Sequence, residues 1–558
     1  MPPVDRDESR FAQASRQVML AAVEGDAEGT LVPKVQDRPR LNKPPLIYWL
    51  QAVPAWFADR DPAGADPRLQ RIGWYRLPSV VCAILAVLAT WRAGCLFYRG
   101  REGAIAGATL AVCPMVLWDA HQARADQLLL ACTTGALLAL AHIWNARRSG
   151  ARVTIARSLS LWGCVGLGVL AKGPITPMVV VLALGALWIL GAGWSSVRAT
   201  RPLLGVGIVS AMVVPWVVAV ASCVGWGEYL SIIFNETIGR AGTAKESHWG
   251  PPGYHLLLLP ALLFPGSLVT LVALRRACRR TRRSGRFVWT SPEALLLAWV
   301  VPSWVVFEGV MTKLPHYTLV LYPALALLGA RALTVVVRAR RRIDMTGVVI
   351  WTLIGLGLCA APLALTEVFD PAPAVFTRAT IGLVSLVCLY LVIDGAASAL
   401  RGRTDRALFG AGLATLAIGA TIFMGPLSLL RRPWVSSSVA SVLAEVDPEG
   451  ERPLARTGYH EDSLVFLTRG RAERVGRNRL QRWIDEHPRG LVVFAPSDEQ
   501  GVPAWARPLA EVEGFNYSTG ERVRVVVMER RRRTAGPVRG RAMERADGRR
   551  LPADREPR

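Results

Sequence analysis

Residues Arg40-Leu41-Asn42-Lys43-Pro44-Pro45-Leu46-Ile47-Tyr48-Trp49 set one lysine against two prolines and then turn at once apolar and aromatic. Two consecutive prolines fix two φ angles and bring no N–H, so a helix starts after them and does not run through them. Lys43 therefore stands at the mouth of a helix. On its own such a lysine reads as an anchor snorkelling at a membrane surface. Three further polar stretches argue instead for a site: Asp5-Arg6-Asp7-Glu8-Ser9-Arg10, Ala123-Arg124-Ala125-Asp126 and Thr312-Lys313-Leu314-Pro315-His316-Tyr317. They do so only if all four lie on one side of a membrane.

The composition supports a membrane. Of 558 residues 52% are hydrophobic, mean hydropathy is +0.30, and apolar runs long enough to cross a bilayer recur. The pattern predicts twelve spans, at about 76–98, 103–119, 126–145, 158–171, 174–192, 203–222, 255–274, 292–311, 317–336, 346–365, 377–396 and 407–428. The division of 158–192 rests on Lys172-Gly173-Pro174, because thirty-five residues exceed one crossing and Gly-Pro is a breaker. Before the spans, residues 7–24 form an amphipathic pattern with Phe11, Ala14, Val18 and Ala21 on one face. This segment and 44–58 are expected to lie in the membrane interface.

The net charge of +24 does not point to nucleic acid, because the basic residues sit in short loops between apolar runs and in the C-terminal tail. One alternating set of loops carries 22 arginines and the other carries only Arg124, Lys172, Arg240, Lys245 and Lys313. The arginine-rich set is therefore cytoplasmic. Residues 1–75, the poor set and everything after about 430 are extracytoplasmic, which places the chain in the inner (plasma) membrane. The five cations that break the trend lie beside carboxylates and aromatics, as a site for an anionic group requires.

Residues 431–528 alternate strand patterns such as Leu491-Val492-Val493-Phe494-Ala495 with helical ones such as 437–446, and read as a small extracytoplasmic α/β domain. Residues 529–558 are an Arg-rich, disordered tail. The domain organisation expected is thus an acidic-motif segment 1–75, a membrane domain 76–430, the α/β domain and the tail. Nine cysteines, none after residue 388, show no metal-ligand spacing and no disulfide framework.

In order along the chain, Asp7-Glu8 with Arg10, the Arg-x-Asn-Lys-Pro-Pro-Leu-x-Tyr-Trp-Leu segment, Arg-x-Asp at 124–126, Lys-Gly-Pro at 172–174 and Lys-Leu-Pro-His-Tyr at 313–317 resemble the integral-membrane glycosyltransferases of the GT-C fold. The resemblance is to the branch holding protein O-mannosyltransferases and lipid A aminoarabinose transferases, and it covers residues 4–430. It implies a polytopic α-helical enzyme that moves a sugar from a polyprenyl or dolichyl phosphate donor to an extracytoplasmic lipid A, glycan or protein hydroxyl, with inversion. By motif, Asp7, Glu8 and Asp126 match catalytic acidic positions. Arg10, Lys43 and Tyr317 match positions that handle the lipid phosphate. Lys313 is a candidate third cation, since a leaving phosphate needs fixed positive charge. Arg124, Lys172, His248 and His316 are further candidates.

Two departures from the family pattern stand out. The family places a span before the acidic pair, whereas Asp7 follows Met1 closely and residues 1–75 carry ten Lys and Arg. The expectation is that the first Met is internal and that a thirteenth span precedes it. Some relatives also hold a metal through an acidic residue before Lys-Pro-Pro and a loop histidine. Here those places are Asn42 and Asn235, and metal dependence stays open. Two other readings stay open too: a flippase or transporter of lipid-linked sugars, for which internal repeats and charges within spans are expected, and an inactive acceptor-binding protein.

Overall fold

The stripe Phe11, Ala14, Val18 and Ala21 is buried on helix α1 (Asp7–Glu24), which Gly25 ends in the left-handed conformation at φ 76°. Its partner is α2 (Leu46–Ala58), whose first turn bonds to the Pro45 carbonyl through the N–H groups of Tyr48 and Trp49. The opposite face of α2 leaves Leu50, Val53, Trp56 and Phe57 exposed, an apolar surface suited to a bilayer interface. The computed structural model describes residues 1–58, 72–237, 250–283, 286–339, 343–369, 375–430, 432–496 and 501–531. His248, Arg240, Lys245 and residues 532–558 of the basic tail lie outside the described residues.

The membrane part runs on as α3 (Ile72–Phe97), α4 (Gly100–Ala111), α5 (Pro114–Ala120), α6 (Asp126–Arg148), α7 (Ile155–Lys172), α8 (Ile175–Leu187), α9 (Pro202–Val224), α10 (Tyr254–Leu262), α11 (Ser267–Thr281) and α12 (Pro292–Gly309). A 3-10 turn at Pro315–Leu321 then leads into α13 (Tyr322–Arg338), followed by α14 (Met345–Phe369), α15 (Val375–Leu400) and α16 (Thr404–Met424). Among the described residues nine helical segments are long and apolar enough to cross a membrane, or ten if α4 and α5, bent by 58°, count as one broken span.

Twelve spans were expected, and the two outside this count have physical reasons. The 255–274 run breaks between α10 and α11 at Leu263-Phe264-Pro265-Gly266, where proline removes a donor. α12 carries Glu293 and Glu308 near its two ends, which make it less apolar over its whole length. The Gly-Pro division holds, because Gly173 at φ 74° closes α7 and Pro174 precedes α8. The first span begins at Ile72, four residues before the sequence reading.

α6 and α13 are the most enclosed spans and α9 is the most exposed. α3 and α4 meet backbone to backbone, since a Cβ on Gly94 would lie 2.5 Å from the Gly103 Cα. Small residues at such crossings are how membrane helices gain close contact. α14, α15 and α16 form a second packed group around Trp351, Cys388 and Val392.

The C-terminal region carries α17 (Val435–Val446), α18 (Asp462–Leu467) and α19 (Leu480–Glu486) on a five-stranded mixed sheet. Its strands are β1 (Leu454–Thr457), β2 (Glu473–Arg474), β3 (Leu491–Phe494), β4 (Ala506–Asn516) and β5 (Glu521–Arg530), in the order β2-β1-β3-β5-β4. β1 is parallel to β2 and β3, and the other pairs are antiparallel. Val493, Val525 and Val527 pack on one face, and Val492, Phe494, Val526 and Met528 on the other. Burial on both faces is what the continuous apolar runs in these strands signal. β5 extends to Arg530, two residues past the expected end of this domain.

Candidate active site

The four polar stretches and Lys172 meet at one cavity of about 760 Å³. One wall is polar and carries Asp7, Arg10, Asn42, Lys43, Arg124, Asp126, Lys172, His316 and Tyr317. The other is apolar, built from Leu358 and Leu365 of α14, from Ile418, Gly419, Ile422 and Phe423 of α16, and from Met115, Leu117 and Trp118 of α5. Each polar residue stands at or beside a helix end. Asp7 opens α1, Lys43 precedes α2, Asp126 opens α6 and Lys172 closes α7. Polar groups collect there because a helix end is where the chain can leave the apolar phase.

The three carboxylates expected to be catalytic have different surroundings. Glu8 is buried and fully occupied: Arg76 donates to both oxygens, Ala123 N–H to Oε1 at 2.8 Å and Val4 N–H to Oε2 at 2.7 Å. Asp126 is also buried, ion-paired with Lys172 through Oδ1 and with the Arg124 guanidinium at 3.2 Å through Oδ2. Asp7 alone of the three is half-exposed, facing the cavity, with Arg40 at 3.6 Å and Arg124 at 4.0 Å. Burial acts to raise its pKa, but Arg124, Arg40, Lys43 and Lys172 outweigh it and hold the carboxyl below its ordinary value. Asp7 is thus a carboxylate that opens on the cavity and is held ionised.

The cations form a connected set. Burial acts to lower the pKa of Arg124, yet Asp126, Asp119, Asp7 and Glu8 hold it above the ordinary value. Its guanidinium lies 3.3 Å from His316 Nε2, which also stands 3.5 Å from Asp126 Oδ1. Arg40, quoted in the opening stretch but not singled out, crosses the Phe11 ring at 4.8 Å, donates to Tyr48 Oη at 3.0 Å and approaches Asp7. Arg76 and Asp119 were also missed. The first lies ahead of a long apolar run, and the second is one acid inside Trp118-Asp119-Ala120.

Two expected phosphate ligands are placed differently from the others. Lys313 is buried, does not line the cavity, and donates from Nζ to the Val310 carbonyl at 2.7 Å. Arg10 lines the cavity but pairs through Nε with Asp462 of α18 at 2.6 Å. Tyr317 lines the cavity between the His316 and His255 rings. Asn42 lines the cavity as an amide, Asn235 is exposed, and no three His, Cys, Asp or Glu side chains converge among the described residues.

The C-terminal domain is docked on this wall. The Asp5 N–H donates to Tyr517 Oη at 2.6 Å, Asp5 Oδ1 accepts from Ser463 N–H at 3.2 Å, and Arg6 donates to the Ser518 carbonyl at 2.7 Å. Gln36 donates to the carbonyls of Gly470 and Ala472.

A polytopic helical body, helix-end charges around one amphiphilic cavity and an appended sheet domain define the GT-C membrane fold. Residues 68–218 match the family model described as dolichyl-phosphate-mannose-protein mannosyltransferase. The undecaprenyl phosphate-alpha-4-amino-4-deoxy-L-arabinose arabinosyl transferase of Erwinia tasmaniensis is 27% identical over 329 residues, 58% of this chain and 54% of that protein. The chain therefore spans about half the length of the curated relatives it matches. The crystal structure of ArnT from Cupriavidus metallidurans bound to undecaprenyl phosphate aligns over 94% of both chains with a TM-score of 0.67 at 18% identity. The oligosaccharyltransferase of Archaeoglobus fulgidus aligns over 88% of this chain and 66% of its own, with a TM-score of 0.52 at 10% identity. The fold expected from the sequence is the fold found.

Proposed function

We propose that this chain is a glycosyltransferase of the inner membrane that moves a sugar from a polyprenyl phosphate donor to an acceptor at the extracytoplasmic face, with lipid A, one of the acceptors the family resemblance implies, as the acceptor class. One observation carries the reading: a single cavity joins a cation-rich wall to an apolar one. A lipid phosphate needs both, cations for its charge and apolar surface for its chain. The charge asymmetry of the loops supports an extracytoplasmic site.

In this reading Lys43, Arg124, Lys172 and Arg10 receive the donor phosphate, and the prenyl chain lies along α14 and α16. The acceptor oxygen attacks the anomeric carbon opposite the phosphate. The C–O bond to phosphate breaks, its electron pair leaves with the phosphate, and polyprenyl phosphate is released. Charge grows on the leaving oxygen, where fixed cations stabilise it most. Asp7 takes the proton of an acceptor hydroxyl, or orients an acceptor that is already ionised. A bound phosphate offsets the cations that depress Asp7, so donor binding raises its basicity when a base is needed. Glu8 and Asp126 act as positioning residues: Glu8 fixes Arg76 and the loop at Ala123, and Asp126 holds Lys172 and Arg124.

The test is transfer from radiolabelled polyprenyl phosphate sugars in membranes carrying wild type or Asp7→Asn. Release of lipid phosphate with labelled acceptor in wild type, lost in the variant, is the expected result. An intact donor that merely changes leaflet in both would replace this reading with a transporter.

A further inference from the structure

The far end of α6 opens on a second concavity of about 750 Å³. α6 carries Asp126 at the catalytic cavity and Arg148 at this one, about 33 Å away along a helix. Arg148 is joined by Arg275, Arg276, Arg279 and Arg280 from the last turns of α11. The N-terminus of α12 closes one side at Ser291. Val335 and Val336 of α13 supply an apolar floor.

We propose that this concavity binds the phosphate headgroup of an anionic membrane lipid at the arginine-rich face. Five arginines meet here, and among the described residues the one ion pair any of them makes is Arg280 with Glu293 at 3.4 Å. Arg276 Nε is shut off from solvent with no hydrogen-bond partner. Guanidinium groups pair with phosphate through parallel N–H bonds, and a helix N-terminus adds donors of the same sign. The topological bias in charge explains why arginines lie on this face, but not why these converge: Arg101, Arg401 and Arg403 belong to the same set of loops and do not line this concavity, and of the five that do, Arg276 is the one partly withdrawn from solvent. A phosphate beside an apolar floor within the bilayer boundary is the chemistry of a phospholipid, whose acyl chains a free phosphate lacks.

The test uses the full chain in detergent with phosphatidylglycerol or phosphatidylcholine, and native mass spectrometry to count retained lipid. Wild type is expected to keep phosphatidylglycerol in preference to phosphatidylcholine, and excess inorganic phosphate is expected not to displace it. The triple variant Arg275→Gln, Arg276→Gln, Arg279→Gln is expected to bind phosphatidylglycerol about tenfold more weakly or worse. The charge-matched variant Arg101→Gln, Arg401→Gln, Arg403→Gln is expected to bind like wild type. Equal losses in both variants, or no headgroup preference, would overturn the proposal. Displacement by inorganic phosphate would do so as well, making this a free-anion site. Wild type crosslinked with a photoactivatable phosphatidylglycerol needs no variant to fold: label within 272–292, on α13 or at the Arg148 end of α6 supports the site, and label elsewhere alone refutes it.

Discussion

Arg76 grips both oxygens of Glu8, through Nε at 2.8 Å and a terminal nitrogen at 2.9 Å, across 68 residues of chain. Glu8 has no exposed face, while its neighbour Asp7 looks into the cavity. Two adjacent acids therefore have different surroundings, and the proposed roles differ accordingly. Asp7→Asn should lower transfer by about 10²–10⁴-fold, with a smaller loss of stability than Glu8→Gln because Asp7 is half-exposed. Glu8→Gln should cost about 3–5 kcal/mol of stability, because it strands a buried guanidinium. Transfer assays and melting curves on both variants check this. A Glu8→Gln protein that melts like wild type yet cannot transfer sugar would return Glu8 to the chemistry.

How much of this was legible follows from where each residue sits. Lys43, Arg124, Asp126 and Lys172 stand out because each interrupts an apolar background at a helix end, and all line the cavity. Arg40 lay in the same stretch, but its role depends on Tyr48, Phe11 and Asp7 meeting in space. Arg76 was unreadable for the same reason, since its partner is 68 residues away. Lys313 had the spacing of a site residue, yet its ammonium is taken up by the Val310 carbonyl three residues back. The 255–274 run reads as one span only when Phe264-Pro265-Gly266, which carries the same breaker signal as Gly173-Pro174, is passed over.

The cations around Asp7 set a pH dependence. A carboxyl with a depressed folded pKa contributes stability above its unfolded value of about 3.9 and loses it as pH falls through the folded value. The kcat/KM of the donor-free enzyme should therefore stay flat on the acid side down to the ordinary carboxylate range, with its limb below that range. Lys43→Gln removes one of those cations, so the limb should move upward while kcat/KM falls about tenfold or more. A pH–rate series on both proteins reads the shift. A limb that stays in place would mean that Lys43 does not act on Asp7.

The apolar wall makes a prediction about chain length. Gly419 on α16 faces Leu117, and a Cβ there would sit 3.7 Å from its Cδ1, an ordinary contact. Gly419→Leu is thus accommodated by the backbone while its side chain fills the cavity. It should lower kcat/KM for a long polyprenyl donor by about tenfold and leave a donor with a short prenyl chain within about twofold. Equal losses for both donors would remove the prenyl chain from this wall.

The last prediction concerns how the C-terminal domain is held. Burial first, and then the nearby Glu461 carboxylate, push the Asp5 pKa well above its ordinary value, although Ser463 and Tyr517 partly offset this. An acid raised in the folded state binds more protons folded than unfolded, so stability falls as pH rises from the ordinary carboxylate value to the raised one. Asp5→Asn keeps an oxygen to accept the Ser463 N–H and cannot ionise. Its melting temperature should lack that downward slope, and at neutral pH it should exceed wild type by on the order of 1–2 °C. Melting curves across the acid and neutral range measure both effects. A variant that melts lower than wild type at neutral pH would mean that Asp5 is ionised there and that its charge holds the docked domain in place.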